Sequence, residues 1–151
     1  MTPTCTSNRE KFQTITYTIF RVTIGVIMAV HGWDKLMNLP NMIGMFTKMG
    51  FPAPEISAYL AIAGELGGGL GLIVGALTPI AAFGIFCTMA VAVFKVHFAN
   101  GLLAKDGGFE YPLTLMVSSL CIIAKGGGCL SIDSLLCKWK ETRKGNACCG
   151  G

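Results

Sequence analysis

Residues 59–84 read YLAIAGELGGGLGLIVGALTPIAAFG, and they decide the fold. The stretch is almost wholly apolar, yet Glu65 stands in its first half, with Leu66 and three glycines behind it. Crossing the hydrocarbon core of a bilayer takes about 20 mainly apolar residues. The stretch is therefore the body of one span, a tight uncharged turn at GALTPIAA, and the start of the next span. Working outward, three blocks reach spanning length, at roughly residues 14–33, 57–77 and 79–98. A fourth, 111–124, is short and stops before Lys125. It spans if Lys125 snorkels and the following glycines lie among the headgroups. Composition agrees: 13% of residues are charged and 52% are hydrophobic, whereas soluble domains carry about 25% charged residues. The first block is not a removable leader, because it is too long, contains Arg21 and lacks a small-x-small cleavage site.

These features predict an all-α fold, an integral membrane four-helix bundle over residues 14–133, with helices at about 14–35, 55–77, 79–99 and 110–126. A short segment, 1–13, precedes it and a basic tail, 134–151, follows. Arg9 and Lys11 precede the first helix, and Lys125, Lys138, Lys140, Arg143 and Lys144 follow the fourth. With an even number of spans both termini share one side. The positive-inside rule makes that side cytoplasmic, in a multi-pass protein of the cell membrane. Loops 34–55 and 99–109 then face outward, and the basic tail lies beside anionic lipid.

Two charges fall inside the spans. Glu65 lies ten residues into the second helix, about 15 Å deep. Arg21 lies about seven residues from the inner end of the first, at an overlapping depth. A lone charge there costs on the order of 3 kcal/mol on insertion scales, so opposite charges at one depth are expected to relieve each other. Gly64, Gly68, Gly71 and Gly75 form one stripe that lets another backbone approach closely. On the first helix Arg21, Gly25, Met28, Gly32 and Lys35 share a face. The sequence thus predicts that the Gly25 face packs on the glycine stripe with Arg21 against Glu65. That pair either fixes helix register or forms a ligand or proton site.

A second polar set gathers at the outer mouth. His31 and Lys35 share a helix face in AVHGWDKL, His97 closes the third helix, and Glu110 opens the fourth. Together they are expected to ring a cavity leading to Arg21 and Glu65. Trp33 and Tyr111 read as interfacial aromatics.

Several chemistries find no support. GELGGGLG opens no βαβ unit and is no nucleotide fingerprint. There is no nucleophile–base triad, no nucleic-acid signature and no His/Cys spacing suited to a metal. The seven cysteines include no CxxC, and the terminal CCGG lacks the aliphatic third position of a prenylation box.

In order along the chain, Arg21-x-x-x-Gly25, HGWDKL at 31–36, GELGGGLGLIVGALT at 64–78, MAVAVFKVHFANG at 89–101, GGFEYP at 107–112 and GGGCLSID at 126–133 resemble the DoxX family of small four-helix bacterial membrane proteins. The likeness covers nearly all of residues 17–133. The closing motif departs from the family's usual G-P-G, and residues 134–151 look like an addition. The resemblance implies a bundle in the cytoplasmic membrane and a link to quinone- or thiol-dependent redox systems. The expected role is a small subunit or accessory of such a system. No cofactor is evident beyond a quinone, and the expected partners are membrane lipid, a redox protein and further copies of the chain. Two other roles stay open: an assembly or scaffold protein without catalysis, and a small-solute transporter. The sequence does not decide whether the protein is an enzyme.

Overall fold

The computed structural model describes residues 8–144; the first seven residues, Cys148, Cys149 and the rest of the CCGG end lie outside the described residues. Six helices follow one another: α1 Asn8–Met37, α2 Leu39–Lys48, α3 Pro54–Val74, α4 Thr78–Asn100, α5 Glu110–Lys125 and α6 Ile132–Lys144. The rods α1, α3, α4 and α5 make the expected all-α membrane bundle. By length and composition α1, α3 and α4 are each able to cross a bilayer. The α5 helix has 16 residues, about 24 Å at 1.5 Å per residue.

The bundle is held by a thin core. Ile24 and Met28 from α1, Leu72 from α3, Ala82, Ile85 and Met89 from α4, and Leu115 and Ile122 from α5 are buried together. Many apolar side chains as large or larger stay outside, among them Leu60, Leu77, Ile80, Phe83 and Phe94, each more than half exposed. An apolar exterior of this kind is stable only where lipid covers it.

Local chemistry sets the ends of the rods. Pro54 opens α3 and Pro79 sits in the first turn of α4, positions where the missing N–H costs nothing. Gly75, at φ +70°, closes α3 in the left-handed conformation. Leu77 is also left-handed, at φ 48°, a state that strains a residue with a Cβ. Its N–H donates to Asp133 Oδ1 at 2.7 Å, and Thr78 N–H donates to Oδ2 at 2.8 Å. One carboxylate thus holds the strained turn and caps α4.

Two segments depart from the expected organisation. The loop 34–55, expected to face outward, contains the amphipathic helix α2, whose Met42 and Phe46 pack on Ala58. The tail expected from residue 134 is helical as far as Lys144, starting at Ile132. Both α3 and α4 also contain a π-helical turn, at Ala63–Gly67 and Ala92–His97. Each adds a residue to a helical turn and so re-aims nearby side chains, a distortion often found at functional sites.

The α1 face behaves as expected: Arg21, Gly25, Met28 and Gly32 are buried. Its partner surface does not. Gly64 lies against Gly84 and Thr88, and Gly68 and Gly71 lie against Ala81, so this stripe packs on α4. The α1–α3 seam is built by Gly25 and Gly32 with Gly69, where an added Cβ would meet backbone within 3 Å. A helix with neighbours on two sides needs small residues toward both, and the stripe's spacing does not say which neighbour it serves. Of the predicted set, Gly75 alone reaches α1, beside the Arg21 guanidinium.

Candidate functional site

The α1–α3 register fixes the depth of each charge. Gly32 meets Leu66, Gly25 meets Gly69 and Ile73, and Arg21 meets Gly75. The helices are antiparallel, and Arg21 lies ten residues of α3 below Glu65, about 15 Å away. The expected Arg21–Glu65 pair therefore does not form. The expectation placed the inner end of α1 near residue 14 and its partner's inner end near 77. The register instead puts Arg21 at the very end of α3.

Glu65 is paired with Lys35. The residue sits inside the π turn, 1% exposed, and its Oε1 accepts from Lys35 Nζ in an ion pair. Side chains tilt toward the N-terminus of their own helix, so Lys35, one turn beyond Gly32 on α1, reaches back toward Glu65. Glu65 Oε2 is buried with no hydrogen-bond partner among the described residues. The Tyr111 phenol is within electrostatic reach of this carboxylate, and its ring lies 5.8 Å from the His31 ring. His31 Nδ1 donates to Ile27 O at 2.8 Å. A carbonyl only accepts, so Nδ1 carries the proton, and in that tautomer Nε2 is an acceptor. Three helices thus bring an ammonium, a half-satisfied buried carboxylate, a phenol and an imidazole to one place.

The outer-mouth set divides in two. His31 and Lys35 belong to the site just described. His97 Nδ1 donates to Gly107 O at 2.7 Å and Glu110 Oε1 accepts from Ala104 N at 2.9 Å, so both brace the loop before α5. Tyr111, read from the sequence as an interfacial aromatic, joins the site. Its signal was available in FEYP, one residue past Glu110 at the mouth of the fourth helix. A groove of about 410 Å³ lies on the other side of α3, lined by Gly64, Gly67, Gly71 and Gly84 among other apolar residues, and none of the charged groups enters it.

Arg21 belongs to a separate assembly at the opposite end of the bundle, beside the α3–α4 turn. It is 1% exposed, its Nη2 donates to Leu130 O at 2.7 Å, and Nε and Nη1 have no hydrogen-bond partner among the described residues. The Tyr17 hydroxyl donates to Gly126 O, and Lys125 lies over the Tyr17 ring at 4.6 Å. Asp133, outside the spans, answers the Arg21 charge. Burial pushes its carboxyl upward, but hydrogen bonds from Thr78 and Leu77, and the Arg21 charge, outweigh this and hold it below its ordinary value. The strap Gly126–Asp133 is thus fastened to α1 and to the α3–α4 turn. Among the described residues no group of three or more His, Cys, Asp or Glu converges as metal ligands would.

Comparison with known proteins adds family and location. The DoxX family model matches residues 16–98. A Haemophilus influenzae protein described as uncharacterized is 32% identical over 99 residues, covering 62% of this chain and 66% of its own. The putative oxidoreductase CatD of Bacillus subtilis is 28% identical over 123 residues, covering 82% and 88%. The inner membrane protein YphA of Escherichia coli is 27% identical over 120 residues, covering 76% and 86%. No solved structure matches the chain.

Proposed function

The chain belongs to the DoxX family, and on that premise we propose that this membrane protein is a subunit or accessory of a quinone- or thiol-linked redox system, with Glu65 handling protons for a bound headgroup. One observation carries the reading: a carboxylate buried inside the bundle with one oxygen held by Lys35 and the other open, beside Tyr111 and His31. An unsatisfied buried acceptor is costly, and functional sites are where such cost is retained. The name putative oxidoreductase carried by the B. subtilis relative points the same way.

The site's chemistry fits a quinone or quinol headgroup. A quinone supplies two-electron chemistry coupled to the gain or loss of two protons. Lys35 Nζ and the Tyr111 hydroxyl are donors suited to a carbonyl oxygen; Glu65 Oε2 and His31 Nε2 are acceptors suited to a phenolic proton. Electrons would pass to or from a partner protein. Lys35, partly exposed at the outer end of α1, links the carboxylate to the aqueous side and gives protons an exit.

A scaffold role has one observation in its favour: Lys35 already neutralises Glu65, as a purely structural pair would. Thermal unfolding of the purified protein with and without a short-chain quinone analogue separates the two. The redox reading expects the analogue to raise the melting temperature of wild type and not of Glu65→Gln. A response that is absent from wild type, or that survives in Glu65→Gln, ends it.

A further inference from the structure

The last helix has a surface that the bundle does not use. Ser131 caps α6: Ser134 N–H donates to Ser131 Oγ at 3.1 Å, an N-terminal cap of the usual kind. Asp133 N–H donates to Gly75 O at 2.9 Å, and its carboxylate grips Leu77 and Thr78. The first turn is therefore fixed at the level where α3 ends and α4 begins, the edge of the apolar spans. Beyond that turn Ile132, Leu135, Leu136 and Trp139 are all exposed. Their spacing, i, i+3, i+4 and i+7, puts them on one side of the helix. Asp133, Ser134 and Cys137 take the opposite side and are less exposed. The helix sequence also carries Lys138, Lys140, Arg143 and Lys144 against Asp133 and Glu141, and Asp133 is already engaged.

We propose that α6 is an in-plane membrane anchor: Ile132, Leu135, Leu136 and Trp139 enter the acyl boundary of the leaflet nearest the chain ends, and the excess of Lys and Arg in the helix sequence favours an anionic leaflet. A 13-residue helix is marginal in water without a surface for its apolar face. A helix with Trp and Leu on one side, in a sequence otherwise rich in Lys and Arg, is the kind that lies in the interface. Charge complementarity selects anionic lipid, since basic residues near such a surface add electrostatic attraction. The anchor is independent of the Glu65 site and of which side of the membrane the termini occupy.

The test uses the full chain, which has two tryptophans, in a Trp33→Phe background, so that Trp139 is the sole reporter. The protein is reconstituted in phosphatidylcholine vesicles with and without phosphatidylglycerol. Fluorescence is quenched either by aqueous acrylamide or by lipids brominated near the headgroup. The expected result in phosphatidylglycerol vesicles is strong quenching by the brominated lipid and acrylamide quenching lowered by about half or more relative to Leu135→Ser/Leu136→Ser. That double variant should keep the melting temperature of its parent in detergent. Acrylamide access that is high in both vesicles places the helix in water and overturns the anchor. Access that is low in both, with no quenching by brominated lipid, means that protein covers the face and overturns it equally.

Discussion

Replacing Lys35 should cost more than replacing the carboxylate it pairs with. In Lys35→Met the Glu65 carboxylate, 1% exposed, keeps its burial and loses its counter-charge. Breaking a buried pair by removing one partner costs roughly 3–5 kcal/mol. Lys35 is 28% exposed, which weakens the pair and puts the expected loss at the low end, about 3 kcal/mol. In Glu65→Gln the ammonium that remains is near the end of α1 and can swing to the interface, so the loss should be about 1 kcal/mol. Lys35→Met/Glu65→Gln removes both charges and should recover to within about 1 kcal/mol of wild type. The coupling energy of that cycle should then exceed about 2 kcal/mol, while Arg21→Gln and Glu65→Gln should add to within about 0.5 kcal/mol, as distant sites do. Reversible denaturation of the purified protein in mixed micelles measures all six species. Equal losses for Lys35→Met and Glu65→Gln, or a coupling of Arg21 to Glu65 as large as that of Lys35, would refute the reasoning.

Four further outcomes are expected. Gly69→Leu should destabilise the bundle by about 3 kcal/mol or more through overpacking, because an added Cβ meets the backbone of Ala29 and Gly25. Gly67→Ala, with open space around it, should be neutral or stabilising by up to about 1 kcal/mol; both are read by thermal unfolding. The Asp133 carboxyl is held below its ordinary value of 3.8, so its stabilising contribution is complete above that pH and is lost as pH falls through the lowered value. The gap in melting temperature between wild type and Asp133→Asn should be constant from pH 7 to about 5 and close in stronger acid. A reporter fused after Lys144 should read as cytoplasmic, following the positive-inside bias, and an external signal would reverse the proposed orientation.

The bundle was legible because lipid solvation leaves a coarse mark, and blocks of some twenty apolar residues survive any error in helix ends. The α1 face was legible too, since Arg21, Gly25, Met28 and Gly32 recur at helical spacing. Pairing was not. The partner of Glu65 depends on the vertical offset of two helices, and an error of a few residues at each end moved Arg21 by about 15 Å. Lys35 falls on the correct face of α1 by its spacing, yet its place at the helix end beside His31 groups it with the mouth rather than with Glu65. The α2 helix escaped notice because it is short, contains Pro40 and lies between spans. The π turns leave no periodicity signal of their own. Asp133 stood out as part of a motif, but its role as the cap of α4 depends on a contact with residues 55 and 56 positions earlier.

The strap also sets an order of completion. Tyr17 and Arg21 find their carbonyl partners, Gly126 and Leu130, 109 residues later in the chain, and the α4 N-terminus finds its cap only when Asp133 arrives. A chain that stops at Lys125 would therefore keep the rods of the bundle yet leave the Arg21 guanidinium without its Leu130 carbonyl and the start of α4 without its Asp133 cap.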